Sequence, residues 1–156
     1  MSLTAPDEST IPHVDGGNVA ILRSKWHDEL VHNMATACTR VLLEHGIESV
    51  EDHVVPGTLE LPLAVRVLAE KRMHDAFVCL SVVEKGSTAH FDMIVHATTE
   101  ALQRVSVDQK IPVINEIIAV YDIADAITRA SDDEFNKGIE AAAATLEMIN
   151  FVRANE

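Results

Sequence analysis

The chain has 156 residues, of which 47% are hydrophobic, so one domain with a well-formed core is expected. Its formal net charge of -13 at pH 7 argues against a nucleic-acid-binding surface and against binding to an anionic membrane. No segment has the apolar length of a membrane span, and the N-terminus lacks the order of a signal peptide, so the cytoplasm is the expected location.

Apolar strands alternate with amphipathic helices along the chain. Residues 1–17 contain prolines, paired glycines and small polar residues, a composition that predicts a mobile N-terminal arm. Residues 18–156 are predicted to form a single domain. The predicted strands are Asn18–Leu22, Val50–Val55, Ala76–Val83 and Ile111–Val120. The predicted helices are His27–His45, Glu60–Lys71, His90–Val105, Ile123–Ala130 and Phe135–Arg153.

This alternation is typical of an α/β fold. The uninterrupted apolar run Ala76–Val83 is the pattern of a strand that is covered on both faces. Strands that alternate with helices predict a three-layer sandwich with a central four-stranded parallel sheet, in a flavodoxin-like topology. In such sheets ligands bind beyond the carboxyl ends of the strands, so the loops that follow the strands are the candidate sites.

The segment after the third predicted strand is the most informative one. Glu84–Asp92 contains Gly86, two hydroxyl residues and His90 at the start of a helix. The first N–H groups of a helix have no partner within it and carry partial positive charge, so such a segment can hold an anion. His90 would place a titratable imidazole beside that anion. An ordinary strand–helix loop with Thr88 as N-cap is the alternative interpretation.

Further candidate residues follow the other strands. Trp26, the only tryptophan, either stacks on a flat heterocycle or caps the core. Gly57 allows a close backbone approach, and Glu60 either accepts hydrogen bonds from a ligand or complements a helix dipole. Asn115 and Glu116 interrupt an apolar run and need partners, because an unpaired buried polar group costs about 1–3 kcal/mol.

Neither cysteine has the spacing of a zinc site or a redox pair. Cys38 lies in a predicted helix and Cys79 in a predicted strand, so both are expected to be buried free thiols, and no metal site is predicted. Arg129 and Lys137 add cations near the C-terminus, where such side chains usually face solvent.

Four segments, in order and with matching spacing, carry a resemblance to a known family. They are Lys25–His27, Val55–Pro62, Lys85–Asp92, and Arg129–Ala130 followed by Asn136–Gly138. Val55–Pro62 has the family's Val-Pro-Gly motif followed by Glu, an aliphatic residue and Pro, and Lys85–Asp92 has its basic-Gly motif followed by Thr, His, an aromatic residue and an acid. From about Asn18 to Arg153 the chain resembles lumazine synthase, the penultimate enzyme of riboflavin biosynthesis. Trp26, His27 and Asn115 look most like the actinobacterial branch.

The resemblance implies a transferase. The family condenses 5-amino-6-(D-ribitylamino)uracil with 3,4-dihydroxy-2-butanone 4-phosphate to 6,7-dimethyl-8-ribityllumazine, and releases phosphate and water. It uses no metal and no organic cofactor, so neither is expected here. Proton transfer and the joint binding of two substrates would supply the acceleration.

The resemblance also implies roles for individual residues. Trp26 would stack on the pyrimidine, and His90 would transfer protons. The other implied substrate-binding residues are Thr58, Leu59, Glu60, Val82, Val83, Glu84 and, from a neighbouring subunit, Asn115. The residues implied for the phosphate are Gly86, Ser87, Thr88 and, again from a neighbouring subunit, Arg129. Secondary candidates are His27, Lys85 and Lys137.

Self-association is a further implication of the resemblance. Family members assemble as pentamers, and some form hollow shells of sixty subunits, so no isolated chain would hold a complete site. The connection from Arg129 to Gly138 has the length found in shell-forming relatives. However, Ser131 and the acidic residues Asp132–Glu134 alter it, and like charges around a symmetry axis repel, so an isolated homopentamer is expected. Association with riboflavin synthase is also expected.

Departures from the family pattern leave alternatives open. Glu84 replaces a usual apolar residue, and Glu116 and Ser131 each replace a usual glycine. A carboxylate near a phosphate weakens binding unless it is turned away or paired, for example with Lys85. One alternative is therefore a diverged member with weak synthase activity that binds flavin-like or lumazine-like ligands or another sugar phosphate. The other is a non-enzymatic shell-forming protein.

Overall fold

Nine regular elements make up the computed structural model, which describes residues 4–156. The strands are β1 (Asn18–Ser24), β2 (Ser49–Val55), β3 (Ala76–Glu84) and β4 (Val113–Val120). The helices are α1 (Asp28–Glu44), α2 (Leu61–Ala69), α3 (His90–Gln109), α4 (Ile123–Arg129) and α5 (Lys137–Ala154). Short 3₁₀ turns lie at Glu8–Thr10 and Thr58–Glu60. Each predicted strand and helix is therefore present in this part of the chain.

The four strands form one parallel sheet in the order β2-β1-β3-β4. One face of the sheet packs against α1, α4 and α5, with Leu80 and Met34 among its buried contacts. The other face packs against α2 and α3, with Phe77, Leu61 and Leu102 in its core. The predicted three-layer α/β fold is thus confirmed, and the strand order reverses between β1 and β3.

Burial along the strands follows their place in the sheet. In β3, Ala76–Val83 is buried throughout, as the apolar run predicted, because helices cover both faces of this central strand. The edge strand β2 contains only exposed and partly buried residues. No helix within residues 4–156 is long and apolar enough to span a lipid bilayer.

Several predicted boundaries were wrong by a few residues. α1 begins at Asp28 instead of His27, because His27 has a left-handed backbone with φ 53°. β4 begins after Pro112, which has no N–H to donate to a neighbouring strand. α3 continues past the predicted end at Val105 and stops before Lys110, where φ is again 53°.

Parts of residues 4–17 lie against the domain. Ile11 and Val14 are buried, and the Val14 N–H donates to the His45 carbonyl at 2.9 Å. Arg153 donates to the carbonyl oxygen of Asp15 at 3.1 Å. Residues 1–3 of the predicted arm lie outside the described residues, and the mobility of the arm and the domain boundary at residue 18 stay predictions.

The two cysteines lie on opposite faces of the sheet. Cys38 belongs to the core beneath α1, and Cys79 to the core beneath α2 and α3. Both are buried free thiols, as predicted, and their burial raises the pKa of each thiol.

Candidate active site

A pocket of about 430 Å³ lies beyond the carboxyl ends of β1 and β3, where the strand order reverses. Its lining residues are Trp26, His27, Gly57, Thr58, Leu59, Glu60, Val82, Val83, Glu84, His90 and Ile94. All but Gly57 and Ile94 belong to the residues that the family resemblance implied for the site. Because parallel strands end at the same edge of the sheet, segments far apart in sequence meet here.

The connection between β1 and α1 brings Trp26 and His27 to the pocket. His27 adopts the left-handed conformation, φ 53° and ψ 45°, which histidine and asparagine tolerate better than most residues. The Trp26 side chain is 71% exposed, so the interpretation that it caps the core is wrong. Its indole is available to stack on a planar ligand.

The turn after β2 places a carboxylate beside the indole. A Cβ at Gly57 would lie 2.9 Å from Glu60 Oε2 and 3.8 Å from Trp26 Nε1. The missing side chain of Gly57 therefore lets the Glu60 carboxylate lie against the Gly57 backbone, on which Trp26 also borders. Glu60 makes no side-chain capping hydrogen bond to α2, so its oxygens can accept hydrogen bonds from a ligand.

Beneath the pocket lie two buried serines that the sequence did not single out. Thr58 Oγ1 is 2.7 Å from Ser81 Oγ, which in turn is 2.8 Å from Ser24 Oγ. Ile94 was also missed, although it lies four residues after His90 and so on the same side of α3. Helical spacing could have indicated Ile94, whereas the serine pair depends on strand register.

The loop between β3 and α3 is exposed. A Cβ at Gly86 would meet no atom within 4 Å, so the loop borders open space at this point. The N-cap of α3 is Ala89, not Thr88 as the alternative interpretation had it. Thr88 Oγ1 accepts a weak hydrogen bond from the His90 N–H at 3.4 Å. His90 is the first residue of α3 and joins this loop to the pocket.

The pocket of the single chain is acidic. Glu60 and Glu84 line it, and its lining residues, all within the described part of the chain, include no lysine or arginine. Lys85, the example of a neutralising partner given above, lies near Asp92 instead of pairing with Glu84. Its Nζ lies 3.8 Å from an Asp92 carboxylate oxygen and 5.1 Å from the centre of the Tyr121 ring. Lys85 thus lies beside Asp92 and does not line the pocket.

Two of the predicted site residues outside this pocket were assigned to a neighbouring subunit, Asn115 and Arg129. Asn115 Nδ2 donates to Thr99 Oγ1 at 3.4 Å, and its Oδ1 accepts the Ile117 N–H at 3.1 Å. Arg129 Nη1 donates to the Asp125 carbonyl oxygen at 2.8 Å. Neither lines the pocket of its own chain, an arrangement compatible with the neighbouring-subunit roles that the resemblance implied.

Lys137 and Glu116 lie on the opposite face of the sheet, beside α1 and α5. The expectation that Lys137 faces solvent is wrong, because its side chain is 4% exposed and forms an ion pair with Glu140. Burial raises the pKa of Glu116 to about 7, the nearby Glu140 charge acts in the same direction, and Lys137 opposes them. Asn136 caps α5 by accepting the Gly138 N–H at 2.8 Å.

Replacing Glu116 by Gln should stabilise the protein at alkaline pH. Between the ordinary carboxyl pKa of 4.5 and about 7, folded Glu116 keeps a proton that the unfolded chain has lost, so stability falls as pH rises through this window. Gln carries no charge, and with allowance for relaxation around the group the gain at pH 8 should be on the order of 1–2 kcal/mol.

Thermal unfolding of the Glu116→Gln variant at pH 4 and pH 8 checks this prediction. The exposed Glu147 on α5 is the matched control, and Glu147→Gln should change neither melting temperature. An equal gain at both pH values would contradict the assigned titration.

Comparisons with known proteins agree with the resemblance. The family model described as 6,7-dimethyl-8-ribityllumazine synthase matches residues 16–153. A protein of that name from Verminephrobacter eiseniae is 31% identical over 154 residues, covering 95% of this chain and 96% of its own. One from Thermococcus onnurineus is 34% identical over 139 residues, covering 89% and 91%. The actinobacterial-like branch stays a prediction. The chain belongs to the 6,7-dimethyl-8-ribityllumazine synthase family.

Proposed function

We propose that this protein catalyses the lumazine synthase step of riboflavin biosynthesis. It condenses 5-amino-6-(D-ribitylamino)uracil with 3,4-dihydroxy-2-butanone 4-phosphate to 6,7-dimethyl-8-ribityllumazine, and releases phosphate and water. The proposal rests on one observation. Trp26, Glu60 and His90 line the same pocket, at the point where the strand order reverses. The family match over residues 16–153 supports the same reaction.

The pyrimidine substrate suits the part of the pocket near β1 and β2. An exposed indole at Trp26 can stack on the flat ring, and the end of β3 at Val82–Glu84 forms a wall beside it. The Glu60 carboxylate can accept hydrogen bonds from ring N–H groups or ribityl hydroxyls. An acidic pocket without lysine or arginine favours such a donor-rich, uncharged ring over an anion.

The phosphate of the second substrate would bind at the adjacent loop. Gly86–Thr88 offers backbone N–H groups and the Thr88 hydroxyl at the start of the twenty-residue helix α3, whose dipole favours an anion. Because Lys85 is directed at Asp92, we assign the balancing cation to Arg129 of an adjacent subunit.

His90 lies between the two proposed substrate positions and would transfer protons. Imine formation, phosphate elimination and ring closure each need a proton moved, and none needs a strong nucleophile from the protein. Holding both substrates in one pocket supplies the rest of the rate acceleration, since the bound substrates no longer have to meet in solution.

Steady-state formation of the lumazine chromophore from the two substrates tests the proposed function. We expect turnover well above the spontaneous rate.

Glu84 lines the pocket, and this observation favours a second candidate, a diverged ligand-binding member of the family. Lumazine binding without turnover would indicate that candidate, and neither binding nor turnover would indicate a shell-forming protein without catalysis.

We further propose that the protein acts in the cytoplasm as a homopentamer that associates with riboflavin synthase. Asp132–Glu134 is exposed on the connection between α4 and α5, where its charges would repel their copies in a neighbouring pentamer. Light scattering at physiological salt should give a mass near five chains. A mass near sixty chains would contradict the isolated pentamer, and a stable monomer would also overturn the shared site.

A further inference from the structure

A chain of three hydroxyl groups lies beneath the pocket. Ser24 Oγ is 2.8 Å from Ser81 Oγ, and Ser81 Oγ is 2.7 Å from Thr58 Oγ1. Both serines are fully buried, whereas Thr58 is 7% exposed and lines the pocket. The chain therefore runs from the interior of the domain to the ligand site.

The three residues come from three different segments of the fold. Ser24 is the last residue of β1, and the register that pairs Arg23 with Leu80 places it beside Ser81 of β3. Thr58 begins the 3₁₀ turn that follows β2. The hydroxyl chain thus connects the segments that carry the pocket's main walls.

The direction of these hydrogen bonds follows from the number of protons. Three hydroxyls have three protons, and the two bonds use two of them. If Thr58 donated to Ser81, the remaining proton would lie on Ser24 or on Ser81, neither of which has a further acceptor among residues 4–156, and a buried donor without an acceptor is costly. In the reverse direction the remaining proton lies on Thr58, where a ligand in the pocket can accept it. The second direction is therefore favoured.

We propose that Ser24 and Ser81 are positioning residues that hold the Thr58 hydroxyl as a hydrogen-bond donor toward the bound pyrimidine substrate. The acceptor is a carbonyl or ribityl oxygen of that substrate, so the proposal rests on the proposed function. Neither serine touches the ligand. Both act through Thr58, by removing the orientations in which its proton points away from the pocket.

Titration with 6,7-dimethyl-8-ribityllumazine, followed by the emission of the only tryptophan, Trp26, tests the proposal without measuring turnover. Ser81→Ala should weaken binding about three- to tenfold, the cost expected for one neutral hydrogen bond. Ser24→Ala should weaken it less, because Ser81 can still donate to Thr58. In a Thr58→Val background, Ser81→Ala should add nothing.

Ser106→Ala is the matched control. Ser106 is partly buried and, like the two serines of the chain, makes a side-chain hydrogen bond, to the Ile111 carbonyl at 2.8 Å, but it does not line the pocket. Its loss should leave lumazine affinity unchanged. Melting temperatures establish that each variant is folded, and if Ser81→Ala does not fold, Ser24→Ala carries the test from the far end of the chain.

Two results would overturn the positioning role. One is wild-type affinity in both serine variants, and the other is an equal loss from Ser81→Ala with and without the Thr58 hydroxyl. If the protein shows no synthase turnover but binds lumazine in a way that depends on Ser81, the proposed function is refuted and the positioning role stands. A wild-type protein that binds no lumazine would overturn both.

Discussion

Replacing His90 by Ala should lower turnover roughly 10- to 10⁴-fold while leaving the fold and the pyrimidine affinity close to wild type. His90 is exposed, lines the pocket and contributes no buried contact, so its loss should not disturb the core. The range is wide because the condensation also proceeds spontaneously in water, and orientation of the substrates supplies part of the enzymatic gain.

Single-turnover and steady-state measurements on His90→Ala separate proton transfer from binding. His96 provides the control, because it is an exposed histidine on the same helix that does not line the pocket. His96→Ala should retain wild-type turnover. Wild-type turnover in His90→Ala would rule out the proton-transfer role.

The second large effect is expected at Arg129. Its replacement by Ala should weaken apparent affinity for the butanone phosphate by roughly 1.5–3 kcal/mol, about 10- to 150-fold, as a charge-assisted contact of this kind requires. Affinity for the pyrimidine should change little, since the proposed contact of Arg129 is with the phosphate of the other substrate. Michaelis constants for the two substrates, measured separately, check this difference.

Arg104 offers a matched control for Arg129. Each arginine pairs with an acid one helical turn earlier, Arg104 with Glu100 at 2.9 Å and Arg129 with Asp125 at 3.4 Å. Arg104→Ala should leave both Michaelis constants unchanged. An unchanged constant for the butanone phosphate in Arg129→Ala would show that the phosphate assignment is wrong.

Mixed assemblies can determine which subunit supplies the arginine. If Arg129 acts across an interface, refolding His90→Ala and Arg129→Ala chains together should restore about a quarter of the sites, those that combine the two intact residues. If Arg129 acted within its own chain, no mixed assembly would contain an intact site, and activity would stay at the level of the single variants.

The order of elements and the place of the pocket were predictable because they depend on local patterns. The apolar run at Ala76–Val83 could only be accommodated in a central strand, and once the sheet was parallel, the residues after each strand had to share one edge. Trp26, Glu60 and His90 therefore meet as expected, although they lie far apart along the chain.

Other features depended on information that no short segment contains. Ser24 and Ser81 meet only because of the register between β1 and β3. Lys137 is buried because it lies at the start of α5, over the sheet. Its charge is neutralised within the domain by the ion pair with Glu140. The proposed roles of Asn115 and Arg129 depend on a second chain, and no pattern within one chain specifies its placement.

The left-handed backbone at His27 limits how the pocket can be redesigned. A substitution there must first suit a backbone that excludes valine, isoleucine and threonine, whatever chemistry the new side chain offers. Trp26 and Leu59 carry no such restriction, and both are largely exposed at the rim. An engineer who wants this scaffold to accept a different heterocycle should therefore vary the rim at Trp26 and Leu59, and keep His27 within the few residues its backbone admits.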